Sequence, residues 1–456
     1  MHTYDMLVIG GGPGGYVAAI KGSQLGLSVM LVEKEEVGGI CLNHGCIPTK
    51  TLLKNVKVYD YVRHASTYGV TVGGDVSFDW TAMLKRKDSV VKRLTGGVGM
   101  LLKKNKVTVV KGEADIVSKD TVKVANETYK AKNIVIATGA SPVVPPIKGL
   151  KEMFEKGFVK TSREMLAIEN APKKLVIIGG GVIGVEFASI FSTLGSDVTV
   201  IERLDGILPM MDDDIRDAYL KVMKKNGTKV FAKAEVTEIA QGKVTYKTDE
   251  GTTTVQADSV LLSVGMRANL KGTEALSLEL ERGAIKTDEK LETSAKGVYA
   301  IGDVNGKYML AHVASAEGII VAERIAGHDV SMDYSMVPSA VYGAPEIASI
   351  GLTEKEAKAS GRDYQVSVFP LAGNGRALAE NEKDGFAKLI IDSTYKEIIG
   401  AHIMSSNASD LISEIGVAMK LEGTAYEVAS TIHAHPTISE ILMEAAHGAV
   451  DKPIHM

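Results

Sequence analysis

The chain first declares itself in blocks of apolar residues. MLVIGGGPGGYVAAIKGSQLGLSVMLVEK, from Met6, opens on an apolar run, breaks onto glycines, continues with helical spacing and closes on a second apolar run. LVIIGGGVIGVEFASIFSTLGSDVTVIER, from Leu175, repeats that order of events. Each copy predicts strand, glycine turn, helix and strand. Elsewhere, residues 50–65 and 79–104 are expected to be helical, and short alternating runs at 107–124 predict a β-meander. KNIVIATGASP reads as a strand ending at Thr138–Gly139, and Pro142, Pro145 and Pro146 then suit a linker. A similar boundary is expected at 264–269. VYAIGDV, from Val298, predicts a buried strand closing on Gly302–Asp303. From Val337 the pattern changes to strand-like runs followed by helix-like stretches ending near His447, which predicts a separate α/β domain.

The repeat carries chemistry. Gly10, Gly12 and Gly15 lead to Glu33 in one copy, and Gly179, Gly181 and Gly184 lead to Glu202 in the other, at identical spacing. In such a turn the first glycine permits the sharp exit from the strand. The second lets a pyrophosphate approach the backbone, and the third allows close helix packing. The helix N-terminus offers N–H groups and a positive dipole end to phosphate. The acid, one strand later, can accept ribose hydroxyls. Two copies predict two Rossmann-like domains and electron traffic between two dinucleotides. Glu202 favours a 2′-hydroxyl over a 2′-phosphate, hence NAD over NADP, although Arg203 lies beside it.

Composition narrows the setting. A chain of 456 residues exceeds a single core. A net charge of −4 supplies no electrostatic argument for nucleic acid or an anionic membrane. No apolar run reaches the about 18 residues a membrane helix needs. The N-terminus reads as a first strand rather than a secretory signal, so a cytoplasmic location is expected. The two cysteines, Cys41 and Cys46, are too few and too close for a disulfide scaffold and point to redox chemistry. A metal pair would need two further soft ligands, and only His44 is near, so no metal is expected.

The cysteines lie in GGICLNHGCIPTKTLL. Pro48 suits the first turn of a helix, which puts Cys46 near a helix N-terminus, where a thiolate is favoured. Lys50, four residues on, would share a face with Cys46. His44 is expected to add positive potential. Near the C-terminus, HAHPTISE offers His435 as a base for thiol protons and Glu440 as its orienting carboxylate. His433 reads as structural.

GG-x-C-L-N-x-G-C-I-P-T-K after an N-terminal glycine fingerprint resembles the redox-active disulfide of the pyridine nucleotide–disulfide oxidoreductases. ATG at 137–139, AIGD at 300–303, MLAHVASAEG at 309–318 and HAHPTISE at 433–440 extend the likeness over nearly the whole chain. The resemblance implies a tightly bound, non-covalent FAD held by Gly10, Gly12, Gly15, Glu33, Lys50, Thr138, Gly139, Asp303, Met309, Ala311 and His312. It implies NAD on Gly179, Gly181, Gly184, Glu186, Glu202 and Gly265. Cys41 matches the cysteine that exchanges with a dithiol, Cys46 the flavin-facing thiolate, and Glu186 the usual partner of Lys50. His435 and Glu440 match the acid–base pair, which in this family serves the opposite subunit, so a homodimer is implied. His312 and Glu317 are expected as helix-start residues lining the flavin. The implied division is an FAD domain over 1–145, an NAD domain over 146–269, a central domain over 270–336 and a dimerisation domain over 337–456.

The motif versions resemble those of members that oxidise dihydrolipoyl groups with NAD, so a lipoyl domain or lipoyl carrier protein of a multienzyme complex is the implied partner. Neither nucleic acid nor membrane is. An NADH-dependent reductase of another small disulfide is the enzymatic alternative, and a flavin-bearing redox sensor the non-enzymatic one. The segment GMRAN at 265–269 departs from the family's G-R-x-P-N and leaves the hinge there open.

Overall fold

Continuous apolar runs such as MLVI and VMLV can be buried on both faces, and they form central parallel strands. A computed structural model of the chain describes residues 3–455. Its described residues divide into two compact units, one comprising residues 3–145, 161–170 and 264–333, the other residues 146–160, 171–263 and 334–455.

In the first unit the strand Thr3–Ile9 lies between Val29–Glu33 and Glu127–Ile136, parallel to both. Thr108–Lys111 extends the parallel sheet beside Val29–Glu33. The expected meander is therefore shorter at its start: Ala114–Ser118, Thr121–Val124 and Glu127–Ile136 form it, while 108–111 joins the parallel array. Val298–Ala300 pairs in parallel with the end of Glu127–Ile136. The helix Pro13–Gln24 packs closely on Ala311–Ile325, with Gly14 and Gly318 at the contact. The expected helices run Cys46–Arg63 and Trp80–Lys104. Trp80 donates to Ile168 O and Lys87 to Leu166 O, which ties 161–170 to this unit.

The two boundary segments pair with each other. Met266–Ala268 runs antiparallel to Ala140–Pro142. Asn269 secures the ribbon: its amide donates to Thr138 O, its backbone N–H donates to Gly139 O, and its side-chain oxygen accepts from Ser141. The departure from the family pattern thus leaves a formed hinge, held by the asparagine.

In the second unit, strands Lys229–Phe231, Asp197–Ile201, Lys174–Ile178, Ser259–Leu262 and Val159–Lys160 form a parallel sheet in that order. The meander Glu235–Ala240, Lys243–Thr248 and Gly251–Gln256 packs beside it. The C-terminal part is a five-stranded antiparallel sheet covered by helices Ala408–Lys420 and Glu440–Val450. This is the mixed α/β architecture with two Rossmann-like halves and a C-terminal α/β domain that the repeat predicts.

A buried lysine holds the C-terminal sheet to the preceding parallel-sheet domain. Lys388 Nζ, on a side chain 1% exposed, lies 2.8 Å from Asp212, 2.5 Å from Asp214 and 2.7 Å from Glu354. Asp212 caps the helix Asp213–Lys225 and also accepts from the Glu354 N–H.

Candidate active site

The two glycine turns are built alike. Gly10 and Gly179 both have φ +104°, a conformation that L side chains rarely adopt. A Cβ at Gly15 would stand 1.8 Å from Gly10 O, and one at Gly184 would stand 2.1 Å from Gly179 O. The third glycine therefore admits the carbonyl of the first. At the second glycine the space is open: a Cβ at Gly12 would meet only Gly39 Cα, at 3.8 Å, and one at Gly181 nothing within 4 Å. Helices Pro13–Gln24 and Val182–Thr193 both begin without a capping side chain or an acid in the first turn. Open space in front of uncapped N–H groups fits a dinucleotide pyrophosphate at each turn.

The acids match as well. Glu33 accepts the Gly11 N–H at 2.6 Å and the Glu35 N–H at 2.7 Å. Glu202 accepts the Gly180 and Leu204 N–H groups at the same two distances. Each carboxylate is fixed by one bond per oxygen, and each oxygen keeps a lone pair for a ribose hydroxyl.

Asp303 follows Gly302 in a single 3-10 turn. Burial, and then the Glu317 carboxylate, push its pKa up to about 6 from 3.8. Glu317 corrects an expectation. It is not at the helix start but midway along Ala311–Ile325, fully buried, and its oxygens accept from Gly302 N–H and the Asn305 amide. It shapes the turn that presents Asp303. Met309 and His312 are exposed at the head of this helix, with Ala311 between them half-buried. Thr138 donates to Asn269 O, Gly139 has φ +69°, and Gly265, at φ +112°, has nothing near its absent Cβ.

A pH prediction follows from Asp303. Its pKa is raised on folding, so its charge opposes folding above pH 6, and the penalty vanishes as pH falls below about 4. In cofactor-free protein, Asp303→Asn is expected to add up to about 3 kcal/mol at pH 7.5 and almost nothing at pH 4. Urea unfolding at the two pH values measures this. An equal gain at both would count against it.

Cys41 sits in the short helix Gly39–His44, and Cys46 begins the helix Cys46–Arg63, whose N-cap, Gly45, supplies no side chain. Both are thiols here, each half-buried, and their side chains hydrogen-bond to each other. That bond, then burial, hold the Cys41 pKa well above the ordinary thiol range, while the Lys50 cation opposes the rise. Cys41 therefore keeps its proton when the pair first ionises, and the helix N-terminus favours Cys46 as the sulfur that carries the charge. His44 does not strengthen this field at neutral pH. Burial, then Arg163, lower its pKa, and Glu35, 3.8 Å away, only partly compensates. His44→Ala is accordingly expected to leave the apparent thiolate pKa within about 0.3 units of wild type. Thiolate absorbance during a pH titration reads the value directly.

In the second unit, Glu186 is 3% exposed and accepts the Tyr342 N–H at 3.1 Å. His435 is 78% exposed at its side chain, and its Nδ1 lies 2.9 Å from Glu440 Oε1. Glu440 Oε2 accepts the Thr437 N–H at 2.7 Å. Burial raises the Glu440 pKa, but Thr437, His435 and His433 outweigh it and hold the carboxylate ionised. An ionised Glu440 keeps the proton on Nδ1 and leaves Nε2 as the basic nitrogen of a neutral ring. Among the described residues, no group of three or more His, Cys, Asp or Glu is arranged to hold a metal ion, and no helix is long and apolar enough to cross a membrane.

Comparisons with known proteins agree with this layout. A family model described as pyridine nucleotide-disulphide oxidoreductase matches residues 4–318, and that family's dimerisation-domain model matches residues 337–446. A protein of Acholeplasma laidlawii named dihydrolipoyl dehydrogenase is 58% identical over 322 residues, covering 71% of this chain and 96% of its own. One of Bacillus subtilis (strain 168), with the same name, is 44% identical over 465 residues, covering 99% of this chain and 97% of its own. Among solved structures, the Cu(II) complex of the HOCl-induced flavoprotein disulfide reductase RclA from Escherichia coli matches with a TM-score of 0.88 at 28% identity, covering 98% of this chain and 99% of that one.

Proposed function

The chain belongs to the pyridine nucleotide-disulphide oxidoreductases, and on that premise we propose that it oxidises protein-bound dihydrolipoyl groups to the cyclic disulfide while reducing NAD⁺ to NADH. The cofactors of this family are FAD and NAD(H). The observation that carries the reading is the thiol pair itself: two cysteines in mutual hydrogen-bond contact at the head of an uncapped helix, with a lysine cation bearing on them. Identity to proteins named dihydrolipoyl dehydrogenase, at 44% over almost the full chain, supports the substrate.

The groups assigned to FAD are Gly10, Gly12, Gly15, Glu33, Lys50, Thr138, Gly139, Asp303, Met309, Ala311 and His312. Those assigned to NAD are Gly179, Gly181, Gly184, Glu186, Glu202 and Gly265. Bound FAD supplies the two-electron relay between the cysteines and the nicotinamide. The protein's own part is sulfur and proton chemistry. In the oxidised enzyme Cys41 and Cys46 form a disulfide. His435 takes a proton from one substrate thiol, and the resulting thiolate attacks Cys41 Sγ. The Cys41–Cys46 bond breaks, and Cys46 leaves as a thiolate, stabilised by the helix N-terminus and Lys50. The second substrate thiol attacks the substrate sulfur bonded to Cys41. Cys41 leaves as a thiol, taking the proton that His435 first accepted, and His435 accepts the second thiol's proton as the cyclic disulfide closes. Glu440 holds the imidazole and steadies its charge during both transfers.

The remaining assignments are part of the same proposal. The enzyme works as a homodimer in which His435 serves the cysteines of the other subunit, within a 2-oxo acid dehydrogenase or glycine cleavage complex. The four-domain division at 145, 269 and 336 is retained. The likeness to a flavoprotein disulfide reductase favours one alternative, NADH-dependent reduction of another small disulfide. Steady-state turnover separates the two. We expect NADH formation from dihydrolipoamide and NAD⁺ to exceed, by at least about tenfold in kcat/KM, any NADH-driven reduction of non-lipoyl disulfides. About 1.4 kcal/mol of transition-state preference would suffice for that ratio. The reverse ranking would replace the proposal with its alternative.

A further inference from the structure

The motif that supplies His435 contains a second histidine with a different environment. His433 and His435 lie between the helices Ala425–Ser430 and Glu440–Val450, in a segment without regular structure. The His435 ring is largely in solvent, whereas the His433 side chain is only 4% exposed. Its Nδ1 lies 2.9 Å from Thr431 O, and its Nε2 lies 2.8 Å from Glu414 Oε1 on the helix Ala408–Lys420. A carbonyl oxygen only accepts, so Nδ1 donates. A carboxylate also only accepts, so a ring carrying both protons satisfies both bonds. Such a ring cannot flip without losing one of them.

Downstream, the same segment is fastened by other contacts. Thr437 donates through its hydroxyl to Ala434 O and through its N–H to Glu440, and the Asn374 amide donates to Thr437 O. Upstream of His435, the Glu414–His433 bond ties the segment across to the helix Ala408–Lys420. We propose that His433, gripped by Glu414, is a positioning residue for His435: it fixes the upstream end of the base-bearing segment. The inference rests on the proposed role of His435 in dithiol oxidation.

The test uses the full-length holoenzyme with dihydrolipoamide and NAD⁺. In His433→Asn, the side-chain amide can still donate to Thr431 O, but the contact to Glu414 is lost. We expect kcat/KM for dihydrolipoamide to fall about 10- to 100-fold, the scale of a displaced catalytic group. The fall should lie in kcat, with KM changed by less than about twofold, because a displaced base slows proton transfer without altering the groups that bind the substrate. Glu414→Ala releases the same ring from the other side and should cause a similar fall. The double variant should be no worse than either single one, because both remove one contact.

Additive losses, or a fall that lies in KM with kcat unchanged, would leave His433 with a merely structural role and overturn the inference. Should His433→Asn fail to fold, Glu414→Ala decides, and undiminished kcat/KM in that variant is equally fatal. Wild-type enzyme that does not turn over dihydrolipoamide would overturn the parent reading and this inference together. Normal wild type with unaffected variants would overturn the inference alone.

Discussion

His435→Gln lowers kcat/KM for dihydrolipoamide by about 10²–10⁴-fold near neutral pH, the range that a positioned general base supplies. The reason is local. Glu440 is fixed at one oxygen by the Thr437 N–H and holds His435 Nδ1 with the other, which leaves Nε2 as the proton acceptor. Glutamine can occupy the space, but it cannot take a proton from a thiol. The deficit should shrink as pH rises toward the free-thiol pKa, about 8.5 for a cysteine-like thiol, because the substrate then ionises without help. Initial rates of NADH formation between pH 6.5 and 9, normalised to bound flavin, give both the magnitude and the trend. A loss below about fivefold at pH 7 would remove His435 from the role of base.

Lys388→Met destabilises the second unit by about 3–5 kcal/mol, the usual cost of breaking a buried ion pair from one side. Lys388 is 1% exposed and bonds Asp212, itself 2% exposed, together with Asp214 and Glu354. Methionine fills the stem but leaves the Asp212 carboxylate buried opposite no cation. Burial raises the Asp212 pKa, and Lys388, with the Glu354 N–H, overcompensates, so its folded value lies below 3.8. Burial likewise works against the Lys388 cation, but the three carboxylates outweigh it and raise its pKa well above 10.5.

The sign is therefore the same at both ends of the pH scale. The carboxylate's contribution is complete above about pH 4 and lost as pH falls through its depressed folded pKa. The lysine's is complete below about pH 10 and lost as pH rises through its elevated one. Chemical denaturation at pH 7 should show the full loss. Asp212→Asn combined with Lys388→Met should recover part of it, because no buried charge is then left alone. A double variant as unstable as the sum of its parts would contradict the network.

Features readable along the chain were those whose geometry is set by short separations. The two glycine fingerprints specify their turns because the third glycine must clear the carbonyl of the first, five residues back, whatever surrounds them. Cys46 at a helix head follows from Gly45 and Pro48. His435 and Glu440 meet because the segment between them is short and its Thr437 N–H joins the same carboxylate. For these, the residue types and their spacing already contain the chemistry.

The rest depended on which polar residues tertiary packing buries. Glu317 reads as one more helix-start residue, yet packing places it in the interior beneath Gly302 and Asn305. Asn269 reaches Thr138 across 131 residues and holds the hinge that its own pentapeptide left undefined. Lys388 and Asp212, 176 residues apart, look like surface charges in their own sequence neighbourhoods. His433 differs from His435 in being buried, with Glu414 against its ring. Hydrophobic period reports which side of an element is covered, but not what covers it, and a charged side chain acquires its energy from that partner. The sequence alone therefore determined the two dinucleotide folds, the sulfur pair and the His435–Glu440 pair. Tertiary structure decided which charges are buried, which partners satisfy them and how firmly each catalytic group is held, because desolvation and pairing are properties of neighbours that the chain brings together only when folded.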